Sequence, residues 1–226
     1  MTRGGWAVVR RRGSAAELHH LPWPTPLERT VWVFDVEHPA IVLGSGQPDS
    51  DVDADAAYAA GVDVVRRRSG GGAVLLVPGD VVWIDVLLPA TDPLWSDDVR
   101  LAFHWLGEAW AEALGRLGVA ADVHRGAMVP SPWSSRACFA GLGPGEVVAA
   151  TPGRPKLVGL SQRRTRHGAR LQSSVHRRFS AAPTVDLLAM TAADRTAARA
   201  ELDVAVAAVD ATTAAIADAF LASLPS

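Results

Sequence analysis

Lys156 is the single lysine in a chain of 226 residues whose other cationic side chains are all arginine. A bias toward arginine removes lysine wherever a guanidinium does the same work. A lysine that survives marks either chance or a place that needs a compact point charge with three donors. A second candidate is the run Arg66-Arg67-Arg68-Ser69-Gly70-Gly71-Gly72-Ala73. Successive glycines let backbone N–H groups line a concavity that holds an anion, and the arginines and Ser69 add donors beside it. The spacing fits neither a Walker loop nor the dinucleotide fingerprint. A plain turn with solvated arginines is the alternative. Ordering three glycines costs roughly 0.5–1 kcal/mol each beyond alanine, which favours a ligand loop.

Cys138, the lone cysteine, sits in Ser135-Arg136-Ala137-Cys138-Phe139. A nucleophilic role needs a base, for which His124, His167 and His176 are candidates, or a lowered pKa, which the nearby Arg136 cation would favour, whereas a cysteine beside a phenylalanine is also ordinary core packing. Between Glu146 and Asp186 there is no carboxylate, while Arg154, Lys156, Arg163, Arg164, Arg166, Arg170, Arg177 and Arg178 all fall there. This predicts a positive face for phosphates or an acidic partner protein, unless acids elsewhere balance it. RNA would want aromatic residues among the cations, and Phe179 stands alone there, so nucleic acid is set aside. The histidines have no metal-ligand spacing, and no Ser-His-Asp elbow is visible.

The elements that must position these groups alternate between strand and helix patterns. Trp6–Val9, Val31–Asp35, Ala40–Gly44, Val62–Arg66, Val81–Pro89, Glu146–Ala150 and Lys156–Leu160 read as strands, the β-branched Val81–Pro89 run being central. Asp51–Ala60 and Asp97–Leu117 read as helices, ended by Gly61 and Gly118. His19 to Pro26 reads as an extended loop, and His19 and His20 point apart if extended. Thr151–Arg154 reads as a hairpin turn, and the alanine-rich chain from Val185 as two helices broken near Thr191. An α+β domain with a mixed sheet follows. Residues 1–226 are expected to form one catalytic domain, with 185–226 a helical segment packed on it.

The hydrophobic fraction of 49% and charged fraction of 20% support a packed core, and the net charge of −2 argues against global attraction to nucleic acid. One cysteine excludes an internal disulfide. No run is long enough to span a membrane and the first residues lack an apolar signal stretch, so a cytoplasmic protein is expected.

Three segments, in order, resemble lipoate–protein ligases, within the superfamily that includes octanoyltransferases and biotin ligases. Val42-Leu43-Gly44-Ser45-Gly46-Gln47-Pro48 is similar to the strand and turn before their first motif. Arg67-Arg68-Ser69-Gly70-Gly71-Gly72-Ala73-Val74 resembles that motif, and Lys156-Leu157-Val158-Gly159-Leu160-Ser161-Gln162-Arg163 resembles the lysine motif. The resemblance spans roughly Val31 to Phe179 and implies a mixed, mainly antiparallel sheet with packed helices. It implies attachment of a lipoyl or octanoyl group to a lysine of a lipoyl carrier domain, from a 2-oxoacid dehydrogenase or the glycine-cleavage carrier. In the ligase branch, the first expectation here, ATP and Mg2+ form an acyl-adenylate. Lys156 then bonds the acyl carbonyl and phosphate, and Arg67, Arg68, Ser69, Gly70, Gly71, Gly72, Ala73, Gly159 and Ser161 line the acyl and nucleotide sites.

The departures are specific. Leu75-Leu76-Val77-Pro78-Gly79-Asp80 replaces an aromatic residue and His-Asp, and His124-Arg125-Gly126-Ala127 lacks the acid of the Asn-Asp pair. Ala137-Cys138-Phe139 followed by Glu146-Val147-Val148 is similar to the cysteine branch of octanoyltransferases, which takes the acyl group from acyl carrier protein without ATP. That branch usually has Gly-Gly-Arg where this chain has Gly70-Gly71-Gly72, and Gln172-Ser173-Ser174 replaces a His-Gly. A diverged acyl- or carrier-binding paralogue is the third expectation.

Overall fold

The computed structural model describes residues 2–226. In chain order the elements are β1 (Thr2–Arg3), β2 (Trp6–Gly13), α1 (Ala15–His20), β3 (Thr30–Val36), β4 (Ala40–Leu43), α2 (Ala54–Ala59), β5 (Asp63–Arg66), β6 (Val74–Leu76) and β7 (Val81–Pro89). Then follow α3 (His104–Arg116), β8 (Ala121–Val123), β9 (Val147–Ala149), β10 (Lys156–Thr165), β11 (Gly168–His176), α4 (Ala181–Asp186), α5 (Ala192–Ala205) and α6 (Thr213–Ala222). Short 3-10 turns cover Asp49–Asp51 and Cys138–Ala140.

An eight-stranded sheet runs β1-β2-β3-β7-β11-β10-β9-β8, and a three-stranded sheet runs β5-β4-β6. Only β2–β3 and β4–β5 are parallel, so the sheets are mixed and mainly antiparallel. Alternation along the strands divides the core. Val31, Val33, Ile84 and Val86 face α3 and α6, where Trp110 and Phe220 stack with ring centroids 4.3 Å apart. Trp32, Phe34, Trp83 and Leu87 face the other way, toward α1, Val42 of β4 and Leu76 of β6. Burying each of these large side chains contributes roughly 1.5–3 kcal/mol. No helix is long and apolar enough to cross a membrane among the described residues.

Several local expectations are corrected. His19 lies on a helix, α1, and not in an extended loop, because Ser14 and Glu17 form a reciprocal capping box. β2 continues through Arg10, Arg11 and Arg12, paired in parallel with β3. α2 starts at Ala54, N-capped by Asp53. α3 starts at His104 because the Asp98 carboxylate accepts the Arg100 N–H at 2.8 Å, closing a local turn and leaving Val99 and Leu101 exposed. The C-terminal stretch holds three helices, with Thr191 and Thr212 capping the second and third. β11 was not anticipated, although it fills the middle of the large sheet.

Candidate functional site

The pairing register puts Trp32, Asp85, Gln172 and Ser161 in one row across β3, β7, β11 and β10. A period of two keeps that row on the face turned toward the small sheet, together with Arg170, so polar groups collect inside an otherwise apolar layer. Buried polar groups must find partners there. Arg170 Nε donates to Asp85 Oδ2 at 2.5 Å, and its other nitrogens donate to the His19 and Leu18 carbonyls at the end of α1. Trp83 Nε1 donates to Asp85 Oδ1 at 2.7 Å, and Gln172 Nε2 donates to Asp85 Oδ2 at 3.2 Å. Burial pushes the Asp85 carboxyl upward in pKa, against the opposing pull of Arg170 and of the hydrogen bonds from Trp83 and Gln172. Ser69 of the glycine loop completes the network, donating to Gln172 Oε1 at 2.5 Å and lying 3.1 Å from Ser161 Oγ.

The arginine–glycine run behaves differently from its sequence reading. Arg67 is buried, and its guanidinium donates to the carbonyls of Val42, Gly70 and Gly72. It shapes the loop from inside, and burial lowers its pKa. Arg68 is exposed. The glycines serve backbone-to-backbone contact. A Cβ on Gly44 would fall 1.9 Å from the Gly71 carbonyl oxygen, and one on Gly72 would fall 2.6–2.8 Å from the backbone of Ala137 and Cys138. Ala73 then exchanges hydrogen bonds with the Cys138 segment: its N–H donates to Arg136 O at 2.8 Å and its carbonyl accepts from Cys138 N–H at 2.9 Å. The first motif and Cys138 are therefore joined through the main chain.

Lys156 lies beneath that segment and is 3% exposed. Its ammonium donates to Cys138 O at 3.0 Å, Gly141 O at 2.7 Å and Glu146 Oε2 at 2.8 Å, and sits 4.9 Å from the centre of the Phe139 ring. Glu146 in turn accepts the Leu160 N–H at 2.9 Å and the Gly143 N–H at 2.7 Å. Gly159 leaves space for the same Phe139 ring, which a Cβ would approach to 2.9 Å. Of the candidate bases, His176 packs edge-on to Phe139, His124 bonds the Ala127 carbonyl, and His167 sits in the β10–β11 turn beside Arg166. Burial and then the Lys156 charge lower His176 to about 4. None of the three bonds the Cys138 thiol among the described residues.

Two cavities meet here. A narrow channel of about 30 Å³ is lined by His19, Arg67, Leu76, Trp83, Cys138 and Gln172, among others. An open cleft of about 280 Å³ is lined by Gly70, Gly71, Gly72, Cys138, Glu146 and Gln162. Cys138, Leu160 and Ser161 line both, so they form the threshold between the narrow channel, whose other lining residues are mostly buried, and the wider cleft. Arg67, Ser69, the three glycines, Ala73, Cys138, Lys156, Gly159 and Ser161 are thus all brought to one place, with Arg68 exposed next to Arg67. Sequence reasoning missed His19, Trp83 and Asp85, and Glu146 as the partner of Lys156. Glu146 was findable as the last acid before the acid-free interval, and His19 through the Ser14–Glu17 capping pattern.

Half of the expected positive face is neutralised. Arg154, Lys156, Arg170 and Arg178 pair with Asp122, Glu146, Asp85 and Asp80 from outside the interval. Arg163 and Arg164 lie over the Trp23 and Trp95 rings.

The family model described as the lipoyl protein ligase A/B catalytic domain matches residues 22–218. No curated protein matches the sequence. Among solved structures, a bi-partite lipoate protein ligase system from Thermoplasma acidophilum superposes with a TM-score of 0.75 at 16% identity, covering 99% of this chain and 82% of that one. A putative lipoate protein ligase from T. acidophilum with bound lipoic acid gives 0.71 at 17% identity, over 98% and 84%. A lipoate-protein ligase A bound with ATP gives 0.69 at 16% identity, over 98% and 84%. At these identities the likeness is one of fold.

Proposed function

The chain belongs to the lipoyl protein ligase A/B catalytic-domain family, and we propose that it attaches a lipoyl or octanoyl group to a carrier-domain lysine through a thioester on Cys138. The observation that carries this reading is the place of Cys138 on the threshold between a narrow channel lined mostly by buried residues and the wider cleft. A sulfur there can hold an acyl chain inward while an amine approaches from solvent. In the first step the Cys138 sulfur attacks the carbonyl carbon of an acyl thioester. The new S–C bond replaces the old one, and the donor thiol leaves with the cysteine's proton. In the second step the carrier lysine's neutral amine attacks the same carbon, forming the amide and returning a proton to Cys138. Lys156 fixes the Cys138 segment by donating to the Cys138 and Gly141 carbonyls, so its part is to hold the loop that carries the sulfur.

The donor is an acyl carrier protein, and the acceptor is a lipoyl domain of a 2-oxoacid dehydrogenase or glycine-cleavage carrier. The ATP-dependent route asks for carboxylates that hold magnesium next to the acyl site. The one acid lining the open cleft is Glu146, and both its oxygens are already taken by Lys156, Gly143 and Leu160. With Glu146 so engaged, the cleft lining offers no carboxylate free to share a magnesium ion with nucleotide phosphates, which favours the thioester route.

Intact mass of the protein after incubation with octanoyl acyl carrier protein, without ATP, tests the reading. An octanoyl increment that appears on the parent and is missing from Cys138→Ser is expected. Carrier-domain acylation by Cys138→Ser from free lipoate or octanoate and ATP, at the parent's rate, would overturn it in favour of the adenylate route.

A further inference from the structure

His19 is the polar group in this region that the proposed chemistry does not use. It is 7% exposed, packs against Trp83 with ring centroids 4.1 Å apart and planes tilted by 33°, and lines the narrow channel. Ser161 at the threshold is on β10, Gln172 is its neighbour on β11, and Trp83, against which His19 lies, is on β7 one strand further on, so His19 and Trp83 stand two strands from the threshold. Nε2 of His19 is buried without a hydrogen-bond partner. Its tautomer follows from its neighbours. The Gln172 carbonyl oxygen accepts from Ser69, so the Gln172 amide nitrogen faces Asp85 and, at 3.5 Å, His19 Nδ1. Nδ1 therefore meets a donor, and the ring proton belongs on Nε2. Burial first, then the charges of Arg170, Arg67 and His20, hold the ring neutral. The channel thus contains an unused N–H donor at its inner end, among Leu76, Trp83 and Val74.

A second unused donor, Arg67 Nε, is also buried in the channel wall. Arg67 lies by Gly71 and Cys138, where the acyl carbonyl would sit. A chain bound with its carbonyl at the threshold thus presents its far end to His19. A methyl terminus offers that N–H nothing and excludes the water that could serve it, leaving a buried donor unpaired. A terminus with polarisable lone pairs, as in a dithiolane ring, offers an acceptor.

We propose that His19 is a specificity-determining residue that selects acyl groups bearing an acceptor at the far end, such as a dithiolane, over methyl-ended chains of similar length. The inference rests on the acyl-channel reading above. Its energetic basis is the asymmetry between filling a donor's position with an acceptor and with a hydrocarbon.

Lipoamide and octanamide carry the two tails on one head group and need no acyl donor, so their binding separates the tail preference from the reaction. Titration calorimetry of the full chain is expected to give lipoamide about five-fold tighter binding than octanamide, less than a full N–H···O bond would give because sulfur is a weak acceptor. His19→Phe preserves the packing against Trp83 and removes the donor, and should bring the two affinities within about two-fold. His19→Gln restores an N–H and should restore part of the preference; circular dichroism melting establishes that each variant is folded. Equal affinity of the parent for both amides, or an unchanged ratio in a folded His19→Phe, overturns the role of His19 and leaves the acyl channel standing. Binding of neither amide by the folded parent overturns the channel itself.

Discussion

Replacing Lys156 with alanine removes three hydrogen bonds at once, from the Cys138 and Gly141 carbonyls and from Glu146 Oε2. The carboxylate left behind has 7% of its side chain exposed and no other cation in contact. Breaking a buried ion pair from one side costs about 3–5 kcal/mol, because the remaining charge is stranded in a medium that solvates it poorly. The two orphaned carbonyls add to this, less than additively. For a chain of this size about 4 kcal/mol lowers the melting temperature by roughly 8–16 °C. Glu146→Gln in the same chain removes the stranded charge while its amide oxygen can still accept from Leu160 or Gly143, and should recover about half of the loss.

Scanning calorimetry and urea titration followed by tryptophan fluorescence read the cycle directly. A Lys156→Ala variant melting within about 2 °C of the parent would refute the reasoning. So would a double variant no more stable than the single one. The cycle also separates two roles of the lysine. If the double variant folds well and still fails to acylate a carrier, the charge is needed for the reaction as well as for the loop.

Gly72→Ala sets a Cβ against the backbone of Ala137 and Cys138, which must move apart at a cost of about 1–3 kcal/mol; thioester formation should fall more than stability does, and an unchanged acylation rate by intact mass would count against the coupling of the two segments. Acid should weaken the fold. His176 titrates at about 4 when folded against 6.5 as its ordinary value, so between those values the unfolded chain binds more protons. Its contribution is complete above about pH 6.5 and is lost as pH falls toward 4, to a limit of about 3 kcal/mol. His19, also lowered, acts in the same direction, while Asp85, raised by burial, opposes it at the acid end. Urea midpoints at pH 7, 6 and 5 should therefore decline, and more gently in His176→Phe; a parallel decline in that variant would exclude His176 as a cause.

What could be read from the sequence followed from how locally each feature was encoded. β7 was legible because Val81–Pro89 is rich in Val, Ile and Trp with no helix period, and the β9–β10 turn because Pro152 and Gly153 punctuate it. β11 was not, because Ala169, Arg170, Gln172, Ser173 and Ser174 look like a polar loop until Asp85, Ser69 and the Ile84 carbonyl supply their partners. Those partners lie far away in sequence, so no local window could reveal that this polar strand is central. The acid-free interval misled in part for the same reason: half of the cations segregated along the chain are paired in space, through Asp80, Asp85, Asp122 and Glu146. The site residues were legible as types and in order. Their mode of use was not, since the glycines meet backbone and Arg67 faces inward onto carbonyls.

The geometry also accounts for the survival of one lysine among so many arginines. The acceptors from Cys138, Gly141 and Glu146 converge within 2.7–3.0 Å of a single atom, beneath the Phe139 ring. A tetrahedral ammonium can serve three such acceptors from one centre. A guanidinium is planar and spreads its donors over three nitrogens, so it cannot converge on them and would overfill the space. Arg67 shows the complementary case in the same site: its acceptors, Val42, Gly70 and Gly72, lie around the edge of a plane. The two cations are thus sorted by the arrangement of the carbonyls they hold, and both hold main chain on either side of Cys138. That sulfur's position on the threshold depends on a loop fixed from below by Lys156 and from beside by the arginine–glycine turn.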